Sequence, residues 1–154
     1  MKWFLFIGVL MLIFNASASD AAITFESIEQ VIEVYNASVE NAPQVVKTLL
    51  GNEIVKVEIT QDNGTALVLG LVAVNAEVVE IIEGEPEDPT IVAKAEQDAL
   101  TRILESEDPV TVFQKARDDG EISIEGTDFW TNMKVSAVLS STSALKFFAD
   151  MTKA

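Results

Sequence analysis

EIVKVEITQDNGTALVLGLVAVNAEVVEII, residues 53–82, is the stretch that decides the fold. Val55, Val57 and Ile59 alternate with Lys56, Glu58 and Thr60. A side-chain period of two sends each set to its own face, so residues 53–60 read as a half-buried strand. Asp62-Asn63-Gly64 is a hairpin signal, because Asn and Gly tolerate the positive φ of tight hairpin turns. Residues 66–74 form a nearly continuous apolar run, in which Gly70 marks a bulge or a close backbone approach. Asn75-Ala76 makes a second turn, and residues 78–82 a third strand. Three strands joined by such short connections form an antiparallel meander.

On the N-terminal side the period lengthens. Phe25, Ile28, Val31, Ile32, Tyr35 and Val39 recur at steps of three and four, with Glu26, Glu29, Glu33 and Glu40 between them as a solvated helix face. Thr24 is the expected N-cap. Asn41-Ala42-Pro43 interrupts the helix, and Pro43 suits the first turn of a second one, with Asn41 as its cap. Val45, Val46, Leu49 and Leu50 make the apolar face of that second helix.

On the C-terminal side, residues 84–89 (GEPEDP) form an acidic loop and residues 90–95 a fourth strand. Residues 96–105 read as a helix with Ala99, Leu100, Ile103 and Leu104 on one side. Asp108-Pro109 opens another: Asp caps the free N–H groups, and Pro fits the first helical position, where no N–H is required. Its inner face is Val112, Phe113 and Ala116. Residues 121–125 form a fifth strand. Phe129, Trp130, Met133 and Ala137 then recur at helical steps, residues 140–143 break the helix, and Ala144, Leu145, Phe148 and Met151 continue it. The pattern predicts an α+β fold with a five-stranded sheet covered on one face by helices.

The first eighteen residues stand apart. MKWFLFIGVLMLIFNASA has one positive residue, Lys2, then an apolar run over 3–14 and small residues before a cut expected between Ala18 and Ser19. This is the layout of a signal peptide, and the apolar run is shorter than the ~20 residues that span a bilayer. The chain is therefore expected to be secreted or extracytoplasmic. The alternative is retention at the membrane by an uncleaved N-terminal segment. Residues 19–154 are expected to form a single domain.

Composition narrows the chemistry. Among 154 residues there are 10 Lys plus Arg, 25 Asp plus Glu, no His and no Cys, for a net charge of −15. The absence of Cys excludes disulfides, thiolate metal sites and thiol nucleophiles; the absence of His excludes Ser–His catalysis and His-ligated metals. So acidic a surface repels nucleic acid and anionic membranes. Acidity does not mean disorder here, because 49% of the residues are apolar.

Residues 84–126 resemble the sterol carrier protein family of small lipid-binding domains. Three pieces carry the resemblance: GEPEDPTIVAKAEQDALTRIL at 84–104, DPVTVFQKARDDG at 108–120 with Asp-Pro opening a helix, and EISIEG at 121–126 with a strand ending in Gly. The meander and the leading helices follow the family's element order. The resemblance implies a five-stranded sheet with helices on one side and an apolar tunnel between them that holds acyl chains, phospholipids or sterols. It places Leu104, Phe113, Phe129 and Trp130 on the tunnel wall, with Phe147 and Phe148 on the covering helix. The family's peroxisomal Ser-Lys-Leu ending is replaced here by Met-Thr-Lys-Ala.

Each candidate site has a plainer reading. Aromatic residues at helical spacing ordinarily build a core, and the lipid role of this set comes from the resemblance alone. The acidic loop lacks the register of a calcium loop, so a solvated loop is expected and no metal site. The acids crowding at Glu105, Glu107 and Asp108, and at Asp118, Asp119 and Glu121, suit helix ends better than a catalytic pair. Asn36-Ala37-Ser38 and Asn63-Gly64-Thr65 match the glycosylation pattern, Asn63 in the more exposed position. The expected function is an exported, non-enzymatic lipid-binding or lipid-transfer domain without cofactors. Its partner would be an apolar small molecule such as a fatty acid, not nucleic acid, with transient membrane contact as a secondary expectation. The alternative is an exported structural or protein-interaction module with a filled core and no ligand.

Overall fold

The computed structural model describes residues 25–44, 47 and 51–151. The expected signal segment, Thr24, and the proposed apolar face Val45, Val46, Leu49 and Leu50 lie outside the described residues.

Helix α1 (Phe25–Ser38) leads into a 3-10 turn at Val39–Asn41. The amide of Lys47 donates to the carbonyl of Pro43 at 3.2 Å. The sheet then follows: β1 (Glu53–Thr60), β2 (Ala66–Val74), β3 (Glu77–Glu83) and β4 (Ile91–Glu96). Helices α2 (Gln97–Glu105) and α3 (Pro109–Asp118) precede β5 (Ile122–Gly126), and α4 (Phe129–Leu139) and α5 (Thr142–Met151) follow it.

The strand order is β3-β2-β1-β4-β5. The β1–β2, β2–β3 and β4–β5 pairs are antiparallel, which makes the meander expected from the sequence; β1 and β4 run parallel. Register aligns Leu71, Val55 and Ile91 across the sheet, and likewise Leu69, Val57, Ala93 and Ile124. These residues share one face and are buried. Helices cover that face, with Ile28, Ile32, Tyr35, Ala99, Leu100, Ile103, Phe113, Ala116, Val135, Ala144 and Leu145 completing the core. Alternation along β1 therefore does what its period requires.

The opposite face carries Lys56, Glu58 and Lys94, and the chain crosses it. Leaving β3 at one edge, the polypeptide must pass over β2 and β1 to enter β4. Three strand spacings come to about 14 Å, and seven extended residues reach at most about 25 Å. The seven residues 84–90 suffice only if they run close to the sheet. They do so over Gly70: a Cβ built there would stand 2.6 Å from Pro86 Cβ. Gly70 is thus the close approach, and the β2–β3 irregularity falls instead between Val72 and Ala73. Beside it the Lys56 ammonium pairs with Glu85 at 2.6 Å. That bond raises the Lys56 pKa and lowers that of Glu85, each favouring its charged form.

At the far edge, α1 holds β3. The Asn36 side chain donates to the Val78 carbonyl at 2.9 Å and accepts from the Val78 amide at 3.0 Å. The Tyr35 hydroxyl donates to the carbonyl of Ala76 at 2.7 Å. Burial, with the nearby Glu77 charge, pushes the Tyr35 pKa far up, so it stays a neutral donor. Among the described residues no helix is long and apolar enough to cross a membrane.

Candidate functional site

The aromatic residues singled out by sequence lie on the helices flanking β5. Helix α3 begins as expected: Asp108 accepts from the Thr111 amide at 3.3 Å and from the Thr111 hydroxyl at 2.6 Å, with Pro109 in the first turn. This start aims Phe113 inward, where it is 1% exposed. Helix α5 packs on α3, and its Phe147 is half-buried against the core. The side chains of Leu104 and Phe148 lie outside the described residues.

Helix α4 repeats the same capping chemistry. Asp128 accepts from the Thr131 amide at 2.8 Å and the Thr131 hydroxyl at 3.1 Å. These bonds, with smaller help from the Trp130 amide and the Lys134 charge, hold the Asp128 carboxyl below its ordinary range. The helix start presses on the end of β5. A Cβ on Gly126 would stand 2.3 Å from the Asn132 amide nitrogen, and the Gly126 amide donates to Asn132 Oδ1 at 3.2 Å. The strand-ending Gly of the sequence motif therefore has a steric purpose: only a residue without a side chain lets α4 turn this sharply onto the sheet.

That turn sets which face of α4 is inside. Thr131 and Val135 are buried and Leu139 half-buried, at steps of four. The face marked by Phe129, Trp130, Met133 and Ala137 points to solvent instead of inward. The reason is that α4 is apolar on nearly every side, so its sequence period barely distinguishes one face from another. The Asp128–Thr131 cap fixes where the helix starts, and the Gly126 contact holds its first turn against β5. Phe129 and Trp130 are each 71% exposed and meet edge to face, with ring centroids 5.7 Å apart and planes at 76°. Met133 extends the same patch. The candidate set is thus divided between two inner aromatics and a surface pair.

A second feature escaped sequence reading. Glu53 is buried and accepts a hydrogen bond from the Thr90 hydroxyl. Thr90 also receives the Ile54 amide at 3.1 Å, and its carbonyl receives the Thr127 amide at 2.9 Å. This polar corner ties the ends of β1, β4 and β5 together just before α4. A Glu at the first position of an alternating strand carries one weak signal, its phase: it falls on the same face as Val55 and Val57.

Of the acids considered for chemistry, Asp108, Asp119 and Glu121 are engaged locally. Glu121 pairs with Arg102, which also holds Asp98 at 3.2 Å; Asp119 pairs with Lys115 at 3.0 Å. Among the described residues no group of three or more acids is placed to hold a metal ion. In the second sequon pattern, Asn63 Oδ1 accepts from the Thr65 amide and hydroxyl, 2.9 and 2.6 Å away, on an exposed turn.

A mixed five-stranded sheet with helices on one face places the chain in the α+β class. No family profile and no curated protein matches it. Solved structures similar to it include sterol carrier protein domains. Sterol carrier protein domain 2 of Helicoverpa armigera has 12% identity and a TM-score of 0.48, over 81% of this chain and 87% of that one. Sterol carrier protein 2 of Yarrowia lipolytica, in its apo form, has 17% identity and a TM-score of 0.44, over 76% and 88%. Palmitated SCP2L2 of Aedes aegypti has 15% identity and a TM-score of 0.45, over 73% and 94%. The likeness is one of fold.

Proposed function

We propose that the chain is an exported, non-enzymatic domain that binds an acyl chain or a similar apolar ligand through the α3–α4–α5 end of the molecule. The observation that carries this reading is the Phe129–Trp130–Met133 patch. Two aromatic rings standing mostly in water contribute little to folding, and exposed apolar surface rimmed by polar residues marks an interaction site. The patch begins the helical segment to which the sequence resemblance assigns the tunnel wall and lid. The ligand slides from the surface pair toward Phe147 and Phe113, and burying it stabilises the complex by about 0.8 kcal/mol per methylene before ordering costs. Such binding needs no ionised side chain, which suits a chain lacking His and Cys.

Export rests on the layout of residues 1–18, with cleavage after Ala18 and residues 19–154 as the working domain. Mass spectrometry of the secreted product tests the cut: an N-terminus at Ser19 supports it, and an intact Met1 overturns it.

For the ligand, native mass spectrometry and lipid extraction of the purified chain are the direct test. Titration with a fluorescent fatty acid, followed by Trp emission, locates it. A blue shift that disappears in Trp130→Phe is expected, since the other tryptophan is Trp3. Absence of any co-purifying lipid together with no fatty-acid binding rejects the proposal.

A further inference from the structure

At the opposite edge of the sheet, α1 and β3 enclose a groove of about 340 Å³ that opens to solvent. It is lined by two kinds of side chain: Phe25, Ile32 and Ile81 are apolar, while Glu29, Glu33 and Glu80 are acidic. Val79 also lines it and stands 60% exposed. It lies at the register shift of β3, where one residue is left outside the ladder. The neighbouring Val78 backbone is already closed by Asn36, so at that point the groove offers side chains and not strand pairing.

Charge selects the occupant. Among the described residues no Lys or Arg pairs with Glu29, Glu33 or Glu80, and the ion pairs of Lys56, Arg102 and Lys115 sit elsewhere. Like charges around an apolar floor concentrate cations and repel anions. A fatty acid is therefore a poor fit, and a ligand both basic and apolar is a good one. An open groove along a helix and a strand suits an extended segment better than an enclosed small molecule.

We infer that this groove docks a basic amphipathic peptide segment of a partner protein. Its apolar side chains enter against Phe25, Ile32, Val79 and Ile81, and its Lys or Arg residues lie over the three carboxylates. The site is separate from the lipid reading, because β3 and β5 are the two opposite edges of the sheet.

The test uses the full chain and fluorescence anisotropy of three labelled hexapeptides: alternating Leu and Lys, alternating Ser and Lys, and alternating Leu and Glu. The Leu–Lys peptide is expected to bind, and the other two to bind at least about tenfold more weakly. The triple variant Glu29→Gln, Glu33→Gln, Glu80→Gln is expected to weaken binding about three- to tenfold. A control triple with the same charge change, Glu96→Gln, Glu105→Gln, Glu107→Gln, should stay within about twofold. Val79→Ser should also weaken binding while leaving the thermal melt unchanged, since that side chain is exposed. Failure of the Leu–Lys peptide to bind, equal binding of the Ser–Lys peptide, or equal losses in the two triples would each overturn the proposal.

Discussion

Helices α3 and α4 open with the same local chemistry and end with opposite fates. Each begins Asp-x-x-Thr, and in each the Asp accepts from both the amide and the hydroxyl of the Thr. In α3 the aromatic lies five residues after the cap and is buried; in α4 the two aromatics follow the cap directly and stand in water. A cap fixes where a helix starts and how the chain enters it. It does not fix which face is buried: position relative to the cap does that, together with what the first turn leans against. For α4 the first turn leans on Gly126.

The comparison can be broken most severely at its buried side. Phe113→Ala removes a ring from the core and should destabilise the fold by about 3–5 kcal/mol, read from urea denaturation. Gly126→Ala attacks the contact that holds the first turn of α4. Its methyl meets backbone, which cannot rotate away, so a loss of about 1–3 kcal/mol is expected, with a shift in Trp130 emission as the surface patch turns. The two caps come next. Asp108→Ala should cost about 0.5–2 kcal/mol in the same denaturation assay.

Asp128 sharpens the pair through pH. Its carboxyl pKa is lowered in the folded state, so its contribution is present above the ordinary aspartate value and lost as pH falls through the lower folded one. The difference in Tm between the parent chain and Asp128→Asn should therefore be largest near neutrality and vanish in strong acid. The smallest structural effect belongs to the surface pair. Phe129→Ser with Trp130→Ser should leave stability within about 0.5 kcal/mol while lowering fatty-acid binding, which separates their use in recognition from any use in folding.

What was legible in the sequence follows the same physics. Strand β1 could be read because one of its faces is buried and the other is not, which writes a period of two directly into the residues. The start of α3 could be read because capping is local, needing only Asp, Pro and Thr within four positions. The inner face of α4 could not, because a helix apolar all round carries almost no phase. Asn36 was invisible as a strand anchor, since its partner Val78 lies far along the chain. Of the candidate set, spacing and resemblance could name the aromatic residues, but their division between interior and surface depends on the packing of α4 on β5.

The crossing of residues 84–90 over Gly70 leaves a mark on how this molecule can change. Gly70 has no freedom to acquire a side chain while Pro86 rests on it, and Pro86 loses its seat if the backbone beneath it is pushed away. A side chain at position 70 becomes acceptable only if Pro86 moves or is replaced, so natural variants carrying one there should also differ at position 86. The short route across the sheet has thereby linked two distant letters of the sequence, and their joint history would record the path the chain takes.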